Sequence, residues 1–321
     1  MNILGRSGVA CDAYQPSTGL DSSQVRNMER YLDAIRSNLL FAKSVILVEG
    51  DAEEILIPTL VREVLGVGID ELGISLINIR STGFQNVAAL FHNSRIKRRC
   101  SILTDSDTAV IDTDPVSGDD ERLKRFREQA KRSAAAGARR MEVLSEFIAD
   151  NPWLATFYAA HTFEVDLISA GNSTLVSSVV SDVYTDPGTR ASAQSAIESG
   201  DVAVFGRRVL QMANAMGKGW FAILLGGKVD HTTVIPQYIL SALHFAHPRL
   251  NVESAYNILK YRLQKFELTE SDSQDARDEL VECAESFRRR EIELADIKIA
   301  TQRLIPSDSV NTFLEMYCSC E

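Results

Sequence analysis

The sequence contains no CxxC pair. Its five cysteines, Cys11, Cys100, Cys283, Cys318 and Cys320, are odd in number and scattered, which speaks against a zinc module and suits a reducing compartment. No uninterrupted apolar run approaches the roughly 20 residues of a membrane span, so no membrane partner is expected. Residues 1–13 lack the basic-then-apolar layout of a secretion signal, and a cytoplasmic location is the expectation. Positive charge is in the minority. With 34 Lys and Arg against 44 Asp and Glu the net charge is −10, which at first sight disfavours nucleic acid. Two considerations weaken that exclusion. Carboxylates that hold divalent cations count as negative only until the metal binds, and a polyanion is steered by the local field, not by the total. The length of 321 residues suits two domains, or one α/β domain with a large insertion.

What is present is organised around Ser44-Val45-Ile46-Leu47-Val48-Glu49-Gly50-Asp51-Ala52-Glu53-Glu54-Ile55-Leu56. It begins as a β-branched apolar run, the composition of a strand buried on both faces of a parallel sheet. It turns at Gly50 and continues as a helix with acids in its first turn, where the dipole favours them. A carboxylate after such a strand sits at the edge where open α/β sheets place ligands. The same letters also fit a buried strand followed by a helix whose acids are merely solvated.

Residues 1–20, with Gly, Ser and Pro and little periodicity, read as a connector. A helix is expected over residues 22–42, capped by Asp21 or Ser22. Beyond the organising strand, helix 55–65 carries Pro58, a second strand runs over 73–79, Ser81-Thr82-Gly83 is a turn, and a helix spans 86–94. A third strand, Cys100–Thr104, follows the basic run Arg95, Lys97, Arg98, Arg99 and ends in Asp105-Ser106-Asp107. This alternation implies a parallel sheet with helices on its faces. A turn-rich loop over 112–120 precedes a helix over 121–150 that opens with Arg122, Lys124, Arg125, Arg127, Lys131 and Arg132. That run is either a solvated face or a phosphate-contacting surface. A fourth strand, 153–160, leads into His161-Thr162-Phe163-Glu164-Val165-Asp166-Leu167, where two acids spaced by two again follow a strand. Met216-Gly217-Lys218-Gly219-Trp220 places a Gly-bracketed lysine at the start of an apolar helix, able to donate to an anion there. An amphipathic helix over 234–245 and a charged helical stretch from 252 to about 303 complete the chain. The expected division is 1–20 connector, 21–110 first part of a catalytic domain, 111–150 helical insertion, 151–248 second part, and 249–321 helical appendage.

Three strand ends thus supply Glu49 with Glu53, Asp105 with Asp107, and Glu164 with Asp166. Hard oxygen ligands in this number suit Mg²⁺, Mn²⁺ or Ca²⁺. Two such cations would clamp an in-line displacement at phosphorus, and Lys218 could neutralise charge on the scissile phosphate.

Val48-Glu49-Gly50-Asp51-Ala52-Glu53 with the following Pro58, and Asp105-Ser106-Asp107, resemble the first motif and the DxD motif of a Toprim domain. The version they resemble is that of the overcoming-lysogenization-defect (OLD) endonucleases. Thr162–Leu167 and Gly217–Ala222 resemble two later OLD motifs, so the resemblance spans about 39–225. It implies an α/β Toprim-type parallel sheet flanked by helices, with an additional helical domain. The implied activity is metal-dependent endonucleolytic hydrolysis of DNA with two divalent cations, Mg²⁺ or Mn²⁺, with Ca²⁺ able to fill the site without supporting catalysis. Carried over by position, Glu49, Glu53, Asp105, Asp107, Glu164 and Asp166 would be metal ligands; Glu49, Asp105 and Lys218 would act in catalysis. Asp51 and Glu54 fall outside the matched positions. No Walker A motif is present, so the resemblance is to the C-terminal nuclease region. The family's N-terminal ATPase domain is then an expected partner of an intact protein, beside DNA and a possible homodimer. The alternatives are a non-catalytic Toprim module that docks DNA or a partner, and a topoisomerase- or primase-like Toprim enzyme. None of Tyr158, Tyr184, Tyr238, Tyr256, Tyr261 and Tyr317 stands in a context that marks a topoisomerase nucleophile.

Overall fold

The structure, a computed structural model, describes residues 3–7, 10–31, 39–80, 83–265 and 274–318. Positions 32–38 of the first expected helix, the Ser81-Thr82 turn and Ser319-Cys320 lie outside them. The stretch read as a connector contains a hairpin, β1 (Ile3–Ser7) paired antiparallel with β2 (Ala10–Tyr14). Helix α1 (Ser22–Tyr31) follows. Asp21 caps it, its Oδ1 accepting from the backbone N–H groups of Ser23 and Gln24.

The four-stranded sheet is built from β3 (Ser44–Val48), β4 (Ile74–Asn78), β5 (Cys100–Asp105) and β6 (Leu154–Ala159). Its order is β4-β3-β5-β6 and every pair is parallel. The uninterrupted apolar letters of β3 now have a cause. Ile46 and Val48 enter one core, Val45 and Leu47 the opposite one, as the period of two requires when both faces are covered. On the first face lies α2 (Asp51–Leu65), whose Leu56, Ile57, Leu60 and Val61 are fully buried. Truncating one of these leucines to alanine would cost about 2–5 kcal/mol.

The helix expected over 86–94 shrinks to α3 (Gln85–Ala88). Polar side chains divert the chain there: His92 Nδ1 accepts from the Ser94 N–H, and Asn93 Oδ1 accepts from Trp153 Nε1. Helix α4 (Glu121–Ile148) begins at the Asp120 cap. Short helices α5 (Phe163–Ser169), α6 (Ser173–Ser178) and α7 (Val180–Val183) lead to α8 (Pro187–Ile197), α9 (Val202–Met216) and α10 (Lys218–Gly226). Helix α11 (Gln237–Ala246) lies on the sheet, its Ala242 carbonyl accepting from Ser101 Oγ.

The chain closes with α12 (Val252–Lys265), α13 (Gln274–Arg288), α14 (Leu294–Leu304) and α15 (Val310–Cys318). These dock on the C-terminal end of α2. Gly66 ends α2 at φ 72°, and any Cβ there would overlap the Tyr261 ring. The Tyr261 hydroxyl donates to the Glu63 carbonyl at 2.6 Å. Buried Arg262 donates to the Val64 carbonyl at 2.8 Å and holds Asp308 through two bonds of 3.0 and 2.8 Å. A cation at exposed helix carbonyls is favourable on both hydrogen-bond and dipole grounds.

Candidate functional site

Strand pairing puts the acids together before any side chain is considered. Since Leu47 of β3 lies opposite Ile102 of β5, Glu49 falls beside Thr104, one residue short of Asp105. Thr104 Oγ1 accordingly donates to Glu49 Oε2 at 2.7 Å. The turn at Gly50 then folds α2 back, so that Glu53 Oε2 comes to 3.4 Å from where a Gly50 Cβ would stand. The other two acids of that turn point elsewhere. Asn78, at the end of β4, donates to Asp51 Oδ1 at 2.7 Å and to Glu54 Oε2 at 2.8 Å.

After β5 the backbone N–H groups of Ser106, Asp107 and Thr108 donate to the carbonyls of Ala159, His161 and Ala160. Asp107 sits at φ 55°, a left-handed conformation that aspartate tolerates better than most residues. Glu164 and Asp166, expected at a strand end, lie instead in the first turn of α5. The correction matters because residues two apart on a helix face roughly opposite ways, whereas in an extended strand they would share a face. Glu164 points inward and is 2% exposed. Thr162 Oγ1 donates to its Oε2 at 2.9 Å, and the Lys218 ammonium stands 3.2 Å from its Oε1. Asp166 turns back to accept from the N–H groups of Ala160 and His161 at 2.5 and 3.1 Å. It braces the turn that presents Glu164 and does not join the other acids.

The electrostatics follow from this crowding. Burial pushes Glu53 up to about 7, and the charges of Glu164 and Glu49 add to the effect against Lys218. Asp105 is driven well above the ordinary carboxylate range by burial first, then by Glu53 and Glu164. For Lys218 burial works against the charge, but Glu164, Asp105 and Glu53 outweigh it and hold the ammonium more firmly protonated than usual. Glu49, Glu53, Asp105, Glu164 and Lys218 are therefore one coupled cluster.

Two participants had no sequence motif. Helix α4 crosses the Asp105-Ser106-Asp107 loop at Gly137, where a Cβ would lie 2.1 Å from the Ser106 carbonyl oxygen. One turn on, Arg140 Nη2 donates to Asp107 Oδ2 at 2.7 Å and to the Asp105 carbonyl at 2.5 Å, and stands 4.0 Å from Glu49 Oε2. The readable signal was the lone glycine inside a helical pattern, which usually has a packing reason. Tyr238, in the first turn of α11, has a buried hydroxyl without a hydrogen-bond partner in the structure. Burial, and then the charges of Asp105, Glu53, Asp166 and Glu164, raise its pKa well above the ordinary value. The charged six-residue opening of α4 also resolves: Lys124, Arg127, Lys131 and Arg132 pair with Glu121, Asp119, Asp114 and Glu128. Most of that run is an ion-paired, solvated face.

Among the described residues, no group of three or more His, Cys, Asp and Glu side chains is arranged to hold a metal ion as it stands. The chemistry of the donors nevertheless fits a hard divalent cation. Several carboxylates share a poorly solvated space, among the described residues Glu164 Oε1 has only the Lys218 ammonium beside it, and burial followed by neighbouring acids raises the pKa of Glu53 and Asp105.

Residues 40–107 match the family model described as "Overcoming lysogenization defect protein-like, TOPRIM domain". Among solved structures, the C-terminal region of the Burkholderia pseudomallei OLD protein is 28% identical, with 65% of this chain and 98% of that one covered and a TM-score of 0.46. The C-terminal region of the Xanthomonas campestris pv. campestris OLD protein is 25% identical, with 65% and 96% covered and a TM-score of 0.44. A search of curated proteins gives no match.

Proposed function

Taking as premise that residues 40–107 are an OLD-like Toprim domain, we propose that this protein is a divalent-metal-dependent endonuclease that hydrolyses DNA phosphodiester bonds. The observation that carries the reading is the Lys218–Glu164 ion pair, with Glu53 and Asp105 close enough to act on the same lysine and Glu49 held beside Thr104 one residue short of Asp105. Glu49, Asp105, Asp107, Glu53 and Glu164 would hold two cations of the Mg²⁺ or Mn²⁺ class. When bound, such cations lower the pKa of an attacking water and stabilise the leaving oxygen. Lys218, kept protonated by its acidic neighbours, would donate to a non-bridging oxygen of the scissile phosphate. Asp166 would act indirectly, by fixing the turn from which Glu164 projects. In this reading the catalytic unit would take its sheet from 21–110 and 151–248, with 111–150 inserted to deliver α4, and the described helices α12 to α15 would form an appendage on α2.

One observation favours a second reading. Arg140 already neutralises Asp107, as it would in a Toprim module that docks DNA without cutting it. A single assay separates the two: supercoiled plasmid with Mg²⁺ or Mn²⁺, with and without EDTA, for the wild type, Glu49→Ala and Asp105→Ala. Nicking that needs the metal and is lost in both variants supports hydrolysis at this site. Nicking that survives both variants removes these acids from catalysis, and no nicking at any metal concentration supports the docking module.

A further inference from the structure

Between the first turns of α4 and the outer faces of α8 and α9 lies a cleft of about 620 Å³. Arg122, Arg207 and Arg208 line it together with Tyr184, Thr189 and Gln211, and no carboxylate is in its lining. Some basic residues of α4 are already neutralised, although Arg125, outside the cleft, also has no ion pair among the described residues. Lys124, Lys131 and Arg132 each have an acidic partner, whereas no ion pair engages the three cleft arginines among the described residues. Arg207 lies 5.9 Å from the Phe126 ring and Arg208 donates to Ser192 Oγ at 3.2 Å, so both guanidinium groups are positioned without being neutralised. In a chain of net charge −10, a concave surface carrying three positive charges and no negative one is a local reversal of sign. Guanidinium forks flanked by hydroxyl and amide donors are the groups that bind phosphate oxygens in a nucleic-acid backbone.

Two helices connect the cleft with the acid cluster. Helix α9 ends at Met216, two residues before Lys218, and Arg208 is about 12 Å along the helix from Met216. Along α4 the rise from Arg122 to Arg140 is about 27 Å. These spans correspond to roughly four to eight base pairs of duplex. We propose that the cleft is a second phosphate-binding site, which grips the DNA backbone several base pairs to one side of the phosphodiester held at the acids. The proposal rests on the endonuclease reading for its ligand and extends it with a site that reads no base sequence.

Binding is measured without metal, by fluorescence anisotropy of a labelled duplex of about 30 base pairs in EDTA, between about 50 and 200 mM salt. The test variant is Arg122→Ala/Arg208→Ala, one residue from each wall; Arg207 is spared because it packs on Phe126. Loss of two phosphate contacts should flatten the slope of log K against log salt by about 2, and weaken binding at low salt on the order of tenfold or more. Arg122→Lys/Arg208→Lys should retain the wild-type slope. Lys228→Ala/Arg249→Ala, exposed positions that do not line the cleft, should leave it unchanged. An unaltered slope in the alanine pair overturns the proposal, as does an equal loss in the control pair. An unaltered DNA isotherm combined with lost binding of polyglutamate also overturns it, and assigns the cleft to an acidic protein segment. Wild-type protein that binds DNA with the cleft-dependent slope yet nicks no plasmid defeats the endonuclease reading and leaves the second site standing.

Discussion

Arg140 Nη2 stands 2.7 Å from Asp107 Oδ2, inside the acidic edge of the sheet and largely shielded from water. A cation supplied by the chain itself thus occupies ground that a divalent metal would share. Removing it should expose the competition. Arg140→Ala leaves Asp107 without its partner, and the metal-free protein should lose about 1–3 kcal/mol. Mn²⁺ should then raise the melting temperature of the variant more than that of the wild type, because the metal takes over the neutralisation. Equal Mn²⁺ shifts in both proteins would separate Arg140 from the metal site.

The metal-free protein should become less stable as pH rises from about 5 to 8. Glu53 in the folded state titrates at about 7, above its unfolded value of 4.5. Between those values the folded state holds a proton that the unfolded state has released, so raising the pH favours unfolding. Asp105 shifts in the same direction. Denaturant titrations in EDTA should show a loss of a few kcal/mol at most across the window, and Glu53→Gln should flatten it.

Lys218→Met should reduce the rate of metal-dependent nicking by roughly 10²–10³-fold, the usual cost of removing one donor to a transition-state oxyanion. The loss should fall on kcat measured at saturating plasmid. A change confined to KM would make Lys218 a binding residue only.

Tyr238→Phe removes a buried hydroxyl that has no hydrogen-bond partner in the structure. Deleting an unsatisfied polar group costs little, so the thermal midpoint without metal should move by no more than about 0.5 kcal/mol equivalent. If the hydroxyl serves a ligand beside Asp105, nicking should nevertheless fall about tenfold, the worth of one hydrogen bond. A stability loss matching the activity loss would instead place Tyr238 in the core.

Arg262→Met should test the attachment of the C-terminal helices. The variant strands Asp308 and two carbonyls, those of Val64 and His231, that the guanidinium now satisfies. Breaking such a buried pair costs about 3–5 kcal/mol. Limited proteolysis should then cut within residues 249–318 at protease levels that leave the wild type intact.

The parts of the site that were legible in sequence share one property: they are set by neighbours along the chain. Glu49, Asp105 and Lys218 each follow a strand end or a glycine turn, and the period of two or 3.6 residues places such positions without knowledge of the fold. Asp51 and Glu54 are set aside because they fall outside the positions matched by the resemblance, and Asn78 holds both. The failures are equally local in origin. Glu164 and Asp166 are expected together directly after the fourth strand, whereas both lie in the first turn of α5, where the helical period separates them and Asp166 accepts from the backbone of Ala160 and His161. The expected helix over 86–94 gave way because histidine, asparagine and serine found better partners than a helical ladder.

By itself the sequence determined the parallel sheet, because runs such as Val45–Val48 must be buried on both faces and only helices on each side can cover them. It also put Glu49 and Asp105 at the ends of their strands. Tertiary structure alone decided which charges meet there. Arg140 is 33 residues from Asp107 and reaches it because Gly137 lets α4 cross the loop without a Cβ. Arg122 and Arg208 share a cleft only because α4 and α9 flank it. Periodicity encodes which face of an element is apolar, whereas contact between faces far apart in the chain depends on volume and close approach, which a linear pattern does not carry.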